Sequence, residues 1–142
     1  MSATAAPRTH RARAAALTAS IVALTLVTGA IHLRLGGLMF TLNALGYFAL
    51  AAAFVVGAAI SHPLVVRFSW LPRVALIGYA WASIGAWLVM GGRYDLAYVT
   101  KGVEVALIVL LIADIYRVYG GAAGLARHAV ASLRWTVAWI RS

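Results

Sequence analysis

The chain has 142 residues, of which 64% are hydrophobic and only 11% charged, against roughly half and a quarter in soluble domains. A soluble chain this short keeps too much surface in water to hide that apolar load, so composition excludes an ordinary soluble domain and points to a bilayer as the solvent. The net charge of +9 would indicate nucleic acid in a soluble protein; here the arginines sit at the ends of apolar runs, where anionic headgroups lie, so membrane lipids and not nucleic acid are the expected partners.

Residues 1–13 read as a basic tail carrying Arg8, Arg11 and Arg13. Four apolar runs follow, at about 14–33, 38–60, 71–90 and 98–116, each near the ~20 residues needed to cross the hydrocarbon as a helix. Gly36 and Gly37 mark the first turn. Ser61, His62 and Pro63 end the second run, because proline disfavours helix in the residue before it. Gly91 with Gly92, and Gly120 with Gly121, close the third and fourth. The runs are twice the length of barrel strands and do not alternate, so helices are expected, as an all-α four-helix transmembrane bundle over 14–119 with up-down topology. An alternative for the first run is a secretory signal, with Thr28-Gly29-Ala30 as its cleavage site; the run continues past that point, which favours a retained helix.

Residues 120–142 differ from the runs before them. On a helical wheel Leu125, Ala129, Val130, Leu133, Val137 and Ile140 share one face. Arg127, Arg134 and Arg141 border it at seven-residue intervals, and Trp135 with Trp139 lies on the other flank. This is the pattern of an amphipathic helix lying in the membrane interface, docking on lipid, on the protein's own loops or on a partner.

Orientation follows from the basic residues. Arg8, Arg11, Arg13, Arg67, Arg73, Arg117, Arg127, Arg134 and Arg141 fall on one side; Arg34, Arg93 and Lys101 fall on the other. The positive-inside rule then places both termini in the cytoplasm of a cell with a bacterial-type inner membrane.

Small residues recur at four-residue spacing: Ala49, Ala53 and Gly57 in the second helix, Gly78, Ala82 and Ala86 in the third, Gly102 and Ala106 in the fourth. Helices in lipid gain little from the hydrophobic effect, so backbone approach through such ridges supplies packing energy, within the chain or against another subunit.

Polar residues at membrane depth are the candidates for chemistry, because they are costly there. At 1.5 Å per residue, His32, Asn43 and Glu104 fall in the same outer third of the bilayer, with Tyr98 and Lys101 leading in. They read either as a pocket in which Glu104 carries a proton or ligand, or as a structural network with Lys101 and Glu104 paired three apart on one helix. One His and one carboxylate fall short of the three or four ligands zinc takes, and no metal or other cofactor is expected. His32 and His62 lie at opposite ends of the second helix, so they cannot ligate one haem as a bis-His pair within one chain. The chain has no Cys, which excludes disulfides and thiolate sites. No nucleophile elbow, P-loop, dinucleotide fingerprint or HExxH motif occurs.

The stretches Gly29 to Leu33, Phe40 to Tyr47 (FTLNALGY) and Tyr98 to Ile108 (YVTKGVEVALI) resemble small four-helix bacterial membrane proteins of unassigned function, over most of residues 20–115. The resemblance implies a fold and no activity. The expectation drawn from the sequence is a non-enzymatic accessory or scaffolding subunit that binds other membrane subunits or itself. Two alternatives are an oligomeric transporter or ion-coupled carrier using Glu104, and a metal-, quinone- or haem-associated redox component using His32 and Glu104.

Overall fold

The computed structural model describes residues 6–141 and is helical almost throughout. Six helices follow in order: α1 (Ala6–Leu35), α2 (Leu38–Ala59), α3 (Pro63–Phe68), α4 (Trp70–Met90), α5 (Asp95–Tyr119) and α6 (Ala122–Ile140). Among the described residues there is no strand, and four helical spans are long and apolar enough to cross a membrane. The fold is an all-α four-helix bundle with a short helix, α3, and a terminal one, α6.

The helix ends follow from local chemistry. Gly36 and Gly37 adopt φ of 72° and 81°, a left-handed region closed to most side chains, and this pair reverses the chain between α1 and α2. Gly120, at φ 73°, ends α5 as a left-handed cap. The basic tail expected over residues 1–13 becomes helix from Ala6 onward, since Pro7 is tolerated in a first turn and Ala and Arg dominate from Arg11 on as strong helix formers; residues 1–5 lie outside the described part.

The connection expected between 60 and 71 is also helical. The His62 side chain accepts a hydrogen bond from the Leu64 backbone N–H at 3.3 Å and caps α3. The break before α4 traces to Pro72, whose ring nitrogen has no proton for the Phe68 carbonyl four residues earlier and whose ring crowds that carbonyl. As a result α3 and α4 follow one another with a single joint at Ser69.

The four long helices form a ring in which α1 touches α2 and α5, and α4 touches the same two. Neighbours in sequence are antiparallel, as short connections require. The centre is filled by Ile21 of α1, Tyr47 and Phe54 of α2, Leu76 of α4, and Leu107 and Leu111 of α5. Spacings of seven (Tyr47, Phe54) and four (Leu107, Leu111) keep these side chains on one helix face. Close approach of α1 and α2 relies on Gly29, where an added Cβ would stand 2.6 Å from the Phe48 ring. Gly46 plays the equivalent part beneath the Tyr79 hydroxyl.

The small-residue ridges lie elsewhere. Ala49, Ala53, Gly78, Ala82, Ala86, Gly102 and Ala106 are all exposed on the outside of the bundle. A Cβ added at Gly78 or Gly102 would meet nothing within 4 Å. Only Gly57 is partly covered, by Ser69 and Pro72. Inside the bundle the contacts use other small residues, Gly29, Gly46, Ala44, Ala51 and Ala80, set among Tyr47, Phe54 and the polar groups described below. The outer surface is otherwise apolar, with Met39 79% and Val89 83% exposed, as befits a body solvated by lipid tails.

Helix α6 lies across α3, α4 and α5. Its Ser132 hydroxyl donates to the Arg67 carbonyl at 2.8 Å, and His128 Nε2 donates to the same oxygen at 3.1 Å. The Arg67 guanidinium sits 4.4 Å from the centre of the Trp135 ring. His128, Ser132 and Trp135 therefore make the docked face. Val130, Leu133, Val137 and Ile140 remain exposed, and Arg127, Arg134 and Arg141 are exposed as well. Trp139 stacks on Trp135 with ring centres 6.4 Å apart.

Candidate functional site

Toward the end of the bundle away from the termini (the distal end), all four long helices place a polar side chain around one carboxylate. Glu104 of α5 is fully buried. Its Oε1 accepts from the Tyr47 hydroxyl of α2 at 3.0 Å and from the Ser83 hydroxyl of α4 at 2.8 Å. Its Oε2 accepts from Lys101 Nζ at 2.7 Å. Lys101 also donates to Ser83 Oγ at 2.7 Å, and its side chain is only 12% exposed. One positive and one negative charge thus enter the interior together, each held by further hydrogen bonds, which is the condition under which a buried ion pair is tolerated.

His32 of α1 completes the group. Its Nδ1 lies 2.8 Å from the Thr28 carbonyl, and a carbonyl only accepts, so Nδ1 carries the proton. Nε2 then presents a lone pair at 3.5 Å from Ser83 Oγ and 3.8 Å from Glu104 Oε1. The single Ser83 proton is directed to Glu104, so the Nε2 lone pair faces the carboxylate without a donor. The His32 ring also leans on Tyr47 and Phe40, at 5.6 and 6.1 Å between centres. One turn earlier on α1, the Thr28 hydroxyl is buried without a hydrogen-bond partner.

Of the five residues singled out from sequence, His32, Lys101 and Glu104 come together and two do not. Asn43 supplies its backbone carbonyl to the Tyr79 hydroxyl at 3.3 Å and is set apart from Glu104. The residue that reaches the carboxylate is Tyr47, four positions later on the same face of α2. Tyr98 is exposed and packs edge-on against Trp87 at 5.2 Å. Ser83 was the other omission. Its signal was available: it is the only Ser or Thr between residues 71 and 90.

A second ionic cluster occupies the opposite, proximal end. Asp114 of α5 is fully buried, and Arg73, in the first turn of α4, is 3% exposed. Arg73 Nε donates to Asp114 Oδ2 at 2.7 Å, and Arg73 Nη1 donates to the Ser69 carbonyl. Arg117 closes on the other carboxylate oxygen through Nε at 3.0 Å and through Nη2. Counting charges along the sequence assigns Arg73 to the connection before the third run; it stands in the first turn of α4, on the side that faces Asp114 of α5. Ser69 Oγ and the Tyr119 hydroxyl are 2.9 Å apart beside this cluster.

Among the described residues no group of three or more His, Asp or Glu side chains is arranged to hold a metal ion. Both buried carboxylates have each oxygen engaged by at least one hydrogen-bond donor of the chain itself. The chain matches no family model, and no curated protein or solved structure is similar to it.

Proposed function

We propose that this chain is a non-enzymatic accessory or scaffolding subunit of a larger membrane assembly, resident in a bacterial-type inner membrane with both termini in the cytoplasm. The observation that carries the reading is the outward placement of the small-residue ridges. Gly78, Ala82 and Ala86 on α4, and Gly102 and Ala106 on α5, leave a shallow, unfilled surface on neighbouring helices. In lipid such surfaces let a second helix approach closely and gain packing and weak hydrogen bonds. The two ionic clusters support the same reading, because together they tie all four long helices and give a fixed body for partners to dock on. The orientation rests on the excess of arginine at the proximal end.

The test is purification of the tagged chain at native expression in a mild detergent, with native mass spectrometry of what accompanies it. Stoichiometric companions are expected, and Gly78→Leu together with Gly102→Leu should release them while helicity and unfolding midpoint stay unchanged. A lone chain that carries no partner, with the double variant behaving as the parent, refutes the reading. The chain has no cysteine, so single-cysteine labelling tests orientation directly: Ser61→Cys should react only with a reagent admitted to the cytoplasm, and Arg93→Cys only with one kept outside.

A second reading is a proton-coupled carrier centred on Glu104. It is favoured by the open lone pair of His32 Nε2 beside the carboxylate and by the unpartnered Thr28 hydroxyl one turn below. Reconstituted into vesicles containing a pH-sensitive dye, such a carrier would pass protons, and Glu104→Gln would stop it with the fold intact. Absence of any flux above empty vesicles removes this reading.

A further inference from the structure

At the proximal end the four long helices do not close. A cavity of about 630 Å³ opens between them, bordered by Ala15 and Thr18 of α1, Ala58 and Ala59 of α2, and the guanidinium-bearing Arg73 and Arg117. We propose that this mouth binds one anionic phospholipid of the adjoining leaflet, with its phosphate between Arg73 and Arg117 and an acyl chain along the small residues of α1 and α2.

Charge complementarity identifies the occupant. Two guanidiniums face one carboxylate here, so the mouth keeps one net positive charge after Asp114 is neutralised. Arg73 spends Nε on Asp114 and Nη1 on the Ser69 carbonyl. Neither bond uses Nη2, although the residue is 97% buried from solvent and borders the cavity. Nη2 is thereby left as a charged donor for one phosphate oxygen. Arg117 lies at the rim with its side chain 40% exposed. Arg11 falls on the same face of α1 as Ala15 and Thr18, one turn further out, and adds positive charge at headgroup level.

The walls distinguish a lipid from a free anion. On α1 and α2 they are built from Ala, Gly, Thr and Val, whose short side chains leave a short, open channel over residues 14–19 and 55–59 of two membrane-crossing helices. Methylene groups fill such a channel with no polar group left unpaired. Basic pockets between helices at a membrane surface have this combination of headgroup cations and apolar flanks.

The experiment is a lipid titration of the detergent-purified full chain by native mass spectrometry, with dioleoyl phosphatidylglycerol against dioleoyl phosphatidylcholine, and inorganic phosphate as the headgroup alone. Phosphatidylglycerol should bind with one tight site and phosphatidylcholine should not compete. Arg117→Gln, which leaves Asp114 paired with Arg73, should weaken that site about five-fold, the value of one cation near an anionic surface. Ala58→Trp should fill the channel and abolish it, while Arg134→Gln on α6 should change nothing. Equal binding of the two lipids overturns the proposal, as does parental binding by both Arg117→Gln and Ala58→Trp. Displacement of the lipid by millimolar phosphate would make this an anion site with no lipid specificity, and would equally overturn it. The site belongs to the chain alone, so companion subunits are not needed for its detection.

Discussion

Replacing Lys101 by Met tests whether the distal cluster holds the bundle together. The substitution keeps most of the aliphatic length and removes only the ammonium, leaving Glu104 buried with two hydroxyl donors and no counter-charge. At 2.7 Å and an effective dielectric near 20, the lost attraction is about 6 kcal/mol. Desolvation of the ammonium, 88% covered in the parent, is recovered in part, so the net loss should fall at about 3–5 kcal/mol, the range for breaking a buried pair. Lys101→Met with Glu104→Gln removes both charges, and the Gln carbonyl still accepts from Tyr47 and Ser83. That double variant should lie within about 2 kcal/mol of the parent, giving a coupling energy of at least ~1–3 kcal/mol in a double-mutant cycle. Reversible unfolding in mixed micelles, followed by helical circular dichroism, measures all four species. A loss below about 1 kcal/mol for Lys101→Met, or strict additivity of the two substitutions, would show that the cluster is not the lock described here.

At the proximal end Arg73→Met should cost about 3–5 kcal/mol, since it removes the buried partner of Asp114, whereas Arg117→Gln should cost under about 1 kcal/mol because its side chain is 40% exposed; the same unfolding assay separates them. Gly46→Leu should disrupt the α2 seam under Tyr79 and lower the unfolding midpoint strongly, while Gly102→Leu, where nothing lies within 4 Å of an added Cβ, should leave the isolated chain unaltered. Tyr47→Phe removes one hydrogen bond to a charged group and should cost about 1.5–3 kcal/mol; no loss would mean the hydroxyl is not directed at Glu104. Ser132→Ala with Trp135→Ala deletes the α6 hydroxyl bond and the Trp ring over Arg67, and amide exchange over 122–140 should quicken while α1, α2, α4 and α5 remain protected.

The four spans were legible because their signal is composition over about 20 residues, which lipid enforces directly. Helix α3 was not legible: its six residues begin with a proline and carry Arg67, features that read as a loop until His62 is seen to cap them. The distal cluster was half legible. Depth alone brings His32 and Glu104 to one level, yet it resolves height only to about one turn, so it selects Asn43 where Tyr47, about 6 Å further along the same face, reaches the carboxylate. Arg73 was missed for a related reason. A basic residue beside a proline near a span's end looks like a membrane-surface charge, and only the acid opposite it on α5 reveals that it turns inward. The small-residue ridges were visible in sequence, but the side of the helix they serve depends on which face the large residues claim.

The distribution of charge along α5 bears on how the chain enters a bilayer. Glu104 has Lys101 three residues before it, and Asp114 has Arg117 three residues after it, so α5 carries both of its buried acids already paired on its own surface. Arg73 has no acid on α4; its counter-charge arrives with the next helix. The last membrane helix can therefore leave the translocon with its two buried acids balanced within it, while α4 keeps an uncompensated cation until α5 emerges. Biogenesis of this bundle thus favours release of α4 and α5 as a hairpin, and a nascent chain halted before residue 114 should hold α4 at the translocon or leave its first turn at the membrane surface.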